Sequence, residues 1–424
     1  MTRTRAGREP RLFLLLPACL LVASSPAAAQ GVPSGAPAGA PPEAQGPSLD
    51  TTIAGRIIPE AAVVPPAHPQ ASSSMTMWAY AGGGWTDNAR YLPEAVAADE
   101  YQGNGGGGLS FSRRGRRGSF SLTGNAAALR SQSGGDLDRF NYSGGLDGSY
   151  RLSRRVSASV RGSYGRSDAR ESKVLTSSGL QYPLTDTYTL TGAAELAWQV
   201  SRRGSLLLRV GYEDVRFDSP VLLDGSYLTT SGTLSHQIGP ASAIGLSYAF
   251  QASTTTGPEQ PVHSAFASWG RRLGRSWSIG LSAGGSYRPP VGRSSDGWSG
   301  YGSVDLTARF RHGSLSGRYG RSLALAYGLG QETLADVVSA QAQRQLGRRV
   351  RLSGSYSWAL NRDPEREVYR FESDNASGTI GWTVARQFEV QGGYYWYRTR
   401  PAGAAPALKS QGAYLSGSFW SSWP

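Results

Sequence analysis

Histidine and acidic side chains are the residues on which acid–base and metal chemistry most often depends. The sequence contains four histidines, at His68, His236, His263 and His312. His263 opens a strand-like segment but has no evident serine and aspartate partners for nucleophilic catalysis. The glycine run Gly103–Gly108 is followed by no Lys-Ser/Thr pair, so it is no phosphate-binding loop. We therefore expect no enzyme, no metal site and no cofactor.

Charged residues recur at every other position of several short segments, between serines, glycines and threonines. Alternate positions of a β-strand lie on one face, so these charges would share the polar faces of their strands. Opposite charges on neighbouring strands either pair across the sheet or set the ion selectivity of a water-filled pore, and the sequence leaves both interpretations open. Together with two tyrosines of the same parity, the predicted pore-lining residues are Asp147, Arg151, Arg161, Glu195, Arg209, Glu213, Asp305, Arg309, Arg318, Arg351, Glu389, Tyr395 and Tyr397.

The segment YRLSRRVSASVRGSYGR (Tyr150–Arg166) shows the pattern that would position such charges. Two arginines interrupt it, and apolar or small residues from Val156 to Tyr164 then alternate with serines and Arg161. A period of two residues is typical of a β-strand with two different faces. The arginine pair predicts a tight turn that separates two such strands.

The same arrangement recurs along the chain. Eight short, mostly basic turns follow one another after Thr76, and each is flanked by alternating segments. One further strand, Met77–Thr86, precedes them and another, Ser410–Trp420, follows, so that the predicted total is eighteen strands. Longer polar segments such as Asp168–Thr187 join successive hairpins at their other ends. Short turns at one end and long loops at the other are typical of transmembrane β-barrels.

The apolar parity supports this fold class. In strand after strand one face carries large aliphatic and aromatic residues, and these cluster toward strand ends, as interfacial girdles do. We therefore predict an all-β transmembrane antiparallel barrel in the outer membrane of a Gram-negative bacterium, in contact with membrane lipid. A soluble β-solenoid or propeller is the alternative. The residues that predict the lipid-facing side include Leu206, Leu208, Val210, Ile244, Leu246, Tyr248, Trp277, Ile279, Leu281, Val350, Leu352, Trp358, Val390, Tyr394 and Trp396.

The N-terminus has the three-part pattern of a secretory signal peptide. Four arginines precede the apolar run Leu12–Ala23, and small residues then favour cleavage after Ala29. The only cysteine, Cys19, lies in this segment, so that lipidation at this residue is the alternative and the mature chain would contain no thiol. We predict a signal peptide over 1–29, a disordered Pro/Ala-rich linker over 30–75 and the barrel over 76–424.

Basic side chains are concentrated in the short turns, whereas the longer loops are richer in acidic residues. In the periplasmic turns of an outer-membrane barrel, arginines would contact phospholipid phosphates. Alternatively, a basic ring would attract an anionic polymer or solute to the periplasmic mouth. The predicted periplasmic basic residues are Arg113, Arg114, Arg116, Arg117, Arg154, Arg155, Arg202, Arg203, Arg271, Arg272, Arg348 and Arg349.

The opening strand and loop YAGGGWTDNARYL (Tyr80–Leu92), together with GLSFSRRGRRGSFSLTGNAAAL (Gly108–Leu129), resemble the start of a β-barrel porin family often found with exopolysaccharide loci. In that family an aromatic- and glycine-rich strand ends in a DN dipeptide, here Asp87-Asn88. The plan of eighteen strands behind a signal and a linker also resembles the barrel partner in myxobacterial polysaccharide export. The resemblance implies a barrel that cooperates with a periplasmic polysaccharide-export protein.

The net charge of +13 permits nucleic acid, anionic lipid or anionic polymer as a partner, but an exported barrel leaves no role for nucleic acid. We expect an outer-membrane channel that exports an exopolysaccharide supplied by a separate periplasmic protein. A diffusion porin for small solutes and a non-conducting structural or adhesive barrel are the alternatives.

Overall fold

The computed structural model describes residues 72–88, 97–133, 138–168, 185–254, 260–290, 297–326, 331–362, 369–401 and 406–423. In these ranges the regular structure consists of β-strands. No helix among the described residues is long and apolar enough to cross a membrane. The strands are β1 Ser72–Thr86, β2 Glu100–Arg114, β3 Gly118–Ser131, β4 Arg139–Arg151, β5 Val156–Asp168, β6 Asp186–Trp198, β7 Gly204–Phe217, β8 Gly225–Gly239, β9 Ser242–Thr254, β10 Gln260–Leu273, β11 Trp277–Arg288, β12 Gly297–Phe310, β13 Gly313–Ala326, β14 Gln331–Leu346, β15 Val350–Arg362, β16 Tyr369–Ala385, β17 Phe388–Pro401 and β18 Leu408–Trp423.

The strands form one closed cylinder. Each strand pairs antiparallel with its neighbours in the sequence, and β1 also pairs with β18, with Trp78 opposite Trp420. Closure leaves no strand edge unpaired, which the hydrocarbon region of a bilayer requires because it offers no water to backbone groups. The prediction of an eighteen-strand antiparallel barrel is confirmed.

The two rims of the barrel differ in the length of their connections. At one rim eight turns of two to five residues join the strand pairs from β2–β3 to β16–β17. Gly274 and Gly347 lie in two of these turns with φ of 72° and 68°, a left-handed conformation that glycine adopts without steric cost. The nine connections at the other rim range from four to seventeen residues. The start of β1 and the end of β18 both lie at the short-turn rim.

The two faces of the wall differ in burial as well as in polarity. On β8 and β9, Leu234 and Leu246 are 53% and 63% exposed, whereas the adjacent residues Thr233 and Ser247 are nearly fully buried. The buried, mostly polar residues of one parity form the concave inner face. The exposed, mostly apolar residues of the other parity form the convex outer face. Exposed large apolar side chains continue around the outside from Leu122 on β3 to Leu415 on β18. An apolar outer belt on a closed β-barrel is the signature of a protein that spans an outer membrane.

The outer belt ends at charged residues near the long-loop rim. On β16 and β17, which pair with each other, Arg400 lies 2.5 Å from Glu372, and Arg398 lies 3.6 Å from Asp374. Trp358 of β15 donates a 2.8 Å hydrogen bond from Nε1 to Glu372. These groups share the parity of the apolar belt, so they mark the level at which the outer face leaves the hydrocarbon.

The boundaries of the barrel are wider than those predicted from the sequence. β1 begins at Ser72 and not at Met77, and β18 extends from Leu408 to Trp423. The predicted signal peptide and nearly all of the predicted linker lie outside the described residues. The last four residues of the predicted linker, 72–75, belong to β1 and not to a linker, and the structure neither supports nor contradicts the rest of those two assignments.

Candidate functional site

The inner face of the barrel is the candidate site, because the thirteen predicted lining residues all have its parity. Backbone register places Asp147 of β4 opposite Arg161 of β5, and Glu195 of β6 opposite Arg209 of β7. Tyr395 and Tyr397 of β17 lie opposite Gly412 and Ser410 of β18. The inner-face position of this set follows from the strand register, and its role in lining a conducting pore stays a prediction. The remaining members, on the same face, are Arg151, Glu213, Asp305, Arg309, Arg318, Arg351 and Glu389.

Oppositely charged members of this set pair across the wall. Arg161 donates from Nε to Asp147 at 2.7 Å, in a pair whose side chains are 73% and 56% exposed. Both groups face the interior and keep their water, so this pair contributes little stability and leaves a local dipole on the lining. Arg318 Nε lies 3.5 Å from Asp305 in a second pair, between β12 and β13.

A third pair spans two strands. Arg351 of β15 donates from Nη2 to Oε1 of Glu389 of β17 at 2.7 Å, across the intervening strand β16. Gly381 of β16 makes this contact feasible, since a Cβ there would lie 2.7 Å from Glu389 Oε1. The carboxyl side chain of Glu389 is 8% exposed. A buried carboxylate needs such a partner, because an isolated buried charge is costly.

One side of the inner face is formed by paired hydroxyl groups. We call it the hydroxyl wall; it lies on β8–β12. Three cross-strand hydroxyl pairs hold it together, at O···O distances of 2.7–2.9 Å. Five of the six side chains are nearly fully buried, and the pairs satisfy their hydrogen-bonding groups. The members are Thr233, Ser247, Ser264, Ser282, Ser286 and Ser303.

One aromatic pair interrupts the hydroxyl wall. Phe266 of β10 and Tyr301 of β12 stack with ring centroids 5.0 Å apart, and both are buried. Gly284 of β11 lies between them in the register. A Cβ at position 284 would lie 2.6 Å from the Cβ of Phe266, so glycine is required for this close approach.

The opposite side of the inner face is aromatic, and most of it was missed by the sequence analysis. Besides the predicted tyrosines of β17, the register places Trp78 and Tyr80 of β1 and Tyr414 and Trp420 of β18 on the inner face. On both strands large residues occupy both parities, as in MWAY and AYLSGSFW, so alternation alone does not assign a face. We call this group the aromatic wall: Trp78, Tyr80, Tyr395, Tyr397, Tyr414 and Trp420.

Glycines on the neighbouring strands receive the rings of the aromatic wall. A Cβ at Gly108 of β2 would lie 2.4 Å from Cζ2 of Trp78, and one at Gly106 would lie 2.9 Å from Cε1 of Tyr80. A Cβ at Gly393 of β17 would likewise lie 2.5 Å from Cζ of Tyr414. The rings therefore lean sideways over the adjacent strand and lie along the wall. This explains two members of the glycine run Gly103–Gly108, and the recurring glycines were the available sequence signal.

The predicted basic residues all lie at the short-turn rim. Arg116 and Arg117, for example, are in the β2–β3 turn, and Arg348 and Arg349 are in the β14–β15 turn. They are exposed to solvent together with the other members of the set. Arg272 additionally donates from Nη2 to the carbonyl of Pro240 in the neighbouring turn at 2.9 Å. The choice between lipid phosphate and an anionic polymer as their partner stays open.

The histidines have no catalytic arrangement in the described part of the chain. His263 lies on the outer face, where its Nδ1 is 2.8 Å from the hydroxyl of Tyr248. His236 has the parity of Leu234 and Ile238 on the outer face. Among the described residues no group of three or more metal-ligating side chains is present. The expectation that the protein is not an enzyme stays a prediction.

Comparison with known proteins gives similar structures but no related sequences. No protein-family model matches the chain, and no curated protein matches it. Similar solved structures include OccAB4 of Acinetobacter baumannii, with 10% identity over 85% of this chain and 100% of that one and a TM-score of 0.46. They also include OccK2 (OpdF) of Pseudomonas aeruginosa, with 13% identity over 83% of this chain and 98% of that one and a TM-score of 0.45.

The siderophore receptor PirA of Pseudomonas aeruginosa is a third similar structure, with 8% identity over 84% of this chain and 81% of that one and a TM-score of 0.45. Because the identities and TM-scores are this low, nothing about ligand or activity follows for this chain. The assignment to the outer membrane rests on the closed barrel and its apolar outer belt.

Proposed function

We propose that the barrel is an outer-membrane channel through which a polysaccharide is exported, with a separate periplasmic protein that delivers the polymer. The observation that carries this proposal is the hydroxyl wall, where small polar side chains pair with one another and face the interior. Eighteen strands enclose enough width for an aqueous passage when the inward side chains are small. The paired residues of the hydroxyl wall are serines and threonine, which are small side chains of this kind.

The chemistry of the lining suits a hydrophilic polymer. Exposed hydroxyls of the inner face, such as those of Ser163 and Thr191, both donate and accept hydrogen bonds, so they can exchange partners with sugar hydroxyls at little cost as a chain slides past. Ion pairs such as Asp147–Arg161 and Asp305–Arg318 cancel most of the charge on the lining. A lining without a large net field neither traps nor repels a weakly charged chain.

The basic short-turn rim supports a periplasmic partner. Exposed arginines such as Arg154, Arg155, Arg202 and Arg203 form a ring around the mouth that faces the periplasm. Guanidinium groups bind carboxylates in a bidentate manner, so this ring would dock an acidic surface of a delivering protein. The resemblance of the first two hairpins to barrels found with exopolysaccharide loci agrees with such a partnership.

The first test measures whether the barrel conducts. Purified mature protein in planar bilayers should show discrete, long-lived conductance steps, and an absence of current over many insertions would overturn the channel proposal. The second test removes the gene from its native host. Loss of surface polysaccharide with periplasmic accumulation of polymer is expected, and normal surface polysaccharide would contradict the export role.

A diffusion porin for small solutes is the second candidate, and the exposed Asp147–Arg161 pair favours it. Charges that keep their water inside a channel act on passing ions and small solutes. Vesicle swelling separates the two candidates. A diffusion porin admits monosaccharides fast and disaccharides slowly in the absence of any partner, and it leaves surface polysaccharide unchanged when it is deleted.

A further inference from the structure

We propose that the aromatic wall is a carbohydrate track, on which the pyranose rings of a neutral polysaccharide stack during passage. This inference deepens the proposed function and rests on it. Its basis is the arrangement of six aromatic side chains on the inner faces of β17, β18 and β1, together with the glycines beneath them.

The rings are distributed along the full height of the wall. In the register of β18, Trp420 and the opposing Trp78 lie nearest the short-turn rim, and Tyr80 is one inward position further. Tyr414 follows, and Tyr395 and Tyr397 lie at the levels of positions 412 and 410. Ten residues separate the first level from the last, which corresponds to about 33 Å along the strand. Because barrel strands tilt by roughly 40°, the rings span about 25 Å of the passage.

The rings of the aromatic wall lie along the wall. Since Trp78 and Tyr414 lean over Gly108 and Gly393, they do not project across the lumen. Trp78, Tyr80, Tyr414 and Trp420 are half-buried, so one side of each packs on the wall and part of each ring stays accessible. Tyr395, at 7% exposure, is covered more completely. The accessible rings of the track are therefore the four nearer the short-turn rim and Tyr397 at the other end.

The chemistry between the rings is polar, and its one inward charged group, Glu389 of β17, is paired with Arg351. Gln391 of β17 lies at the level without an aromatic residue and donates from Nε2 to the hydroxyl of Tyr414 at 3.3 Å. The inward residues of β1 and β18 include no charged side chain, and Asn104 of β2 adds another amide opposite Gly82. Aromatic faces with interspersed amides match a sugar, which has apolar C–H faces and a polar edge of hydroxyls.

These properties specify the ligand class. A pyranose with equatorial substituents exposes its axial C–H groups as a flat apolar face, which can stack on an aromatic ring. A neutral chain of such sugars fits a track whose one inward charged group, Glu389, is paired with Arg351, whereas a strongly anionic polymer would find no cation on the inner faces of β1 and β18. The track would hold successive sugar units weakly, so that a chain moves from ring to ring without being trapped.

The test measures binding without requiring ion current. Folded full-length mature protein in detergent is titrated with cellohexaose and, in parallel, with maltohexaose, and binding is followed by calorimetry. We expect Trp78→Ala and Tyr414→Ala each to weaken hexaose binding by about three- to tenfold. Tyr414→Phe keeps the ring and should bind as the wild type does.

Matched controls lie on the outer face of the same sheet region. Trp85→Ala on β1 and Tyr394→Ala on β17 also remove aromatic residues, but from the side that faces lipid. These variants should bind the hexaoses normally.

If neither hexaose binds the wild type, or if outer and inner variants weaken binding equally, the track is overturned. If the inner variants alter only the unfolding transition and not binding, the rings merely close the β1–β18 seam, and the track is likewise overturned. If the barrel conducts ions but fails these binding tests, only the track is refuted. If the barrel carries no current in planar bilayers, the channel is refuted.

Discussion

The aromatic wall and the hydroxyl wall lie on opposite sides of the barrel and differ in how side chains fill the inner face. β10, at the centre of the hydroxyl wall, is nine strands from β1 in either direction around the cylinder. On β8–β12 small hydroxyls pair across strands, whereas on β17, β18 and β1 large rings rest on neighbouring glycines. The outer faces of both walls carry the same kind of exposed apolar residue. The lipid therefore constrains one face uniformly, and the inner face is free to differ from side to side.

The difference also shows how one lining can combine two kinds of contact. Hydroxyl pairs give a polar surface, and rings give a surface on which apolar sugar faces stack. A polymer in such a passage would contact both at once. A uniform polar lining would not distinguish a sugar chain from any other hydrophilic solute.

The largest expected effect comes from charges on the shared outer face. Leu415→Arg on β18 and Leu246→Arg on β9 replace residues that are 62% and 63% exposed on the apolar belt. Each should lower the free energy of unfolding by about 2–4 kcal/mol, because a guanidinium near the bilayer midplane loses its water. Urea unfolding in lipid vesicles, followed by tryptophan fluorescence, measures this change. Thr229→Arg on the inner face is the control and should cost far less. If arginine lowered the free energy of unfolding equally little at all three positions, the apolar outer belt would not contact lipid.

An intermediate effect is expected from the glycines under the rings. Gly108→Ala and Gly393→Ala place a Cβ 2.4 Å and 2.5 Å from ring atoms of Trp78 and Tyr414. We expect losses of roughly 1–3 kcal/mol in the free energy of unfolding, since the rings must leave their positions. Gly211→Ala, an inward position outside the aromatic wall with its nearest atom at 3.9 Å, should be neutral or slightly stabilising. The same unfolding assay applies, and a neutral Gly108→Ala would contradict the described packing.

The smallest effect concerns the exposed ion pair on β4 and β5. Asp147→Asn and Arg161→Gln form a double-mutant cycle, and their coupling should lie below about 1 kcal/mol because both side chains are well hydrated. In planar bilayers Asp147→Asn should shift ion selectivity toward anions and Arg161→Gln toward cations. A coupling well above that bound would mean that water does not reach this part of the lining.

Much of the fold could be predicted because its signal is local. The alternation from Val156 to Tyr164, and its recurrence between basic turns, depends only on which residues neighbour one another along the chain. A side-chain period of two assigns faces wherever one face contacts lipid. For the same reason the thirteen lining candidates, including Asp305 and Arg318, share one parity, which the strand register places on the inner face.

The sequence by itself determined the strand count, the hairpin order and which parity is apolar. The reason is that the alternation of apolar and polar residues, which the bilayer requires, is present in each strand separately. It did not assign Trp78, Tyr414 or Trp420 to a face, because both parities of β1 and β18 carry large residues. Pairing of β1 with β18 decided that question, since register is a property of two strands that lie at opposite ends of the chain. The contact of Arg351 with Glu389 across Gly381 likewise exists only once three strands are assembled.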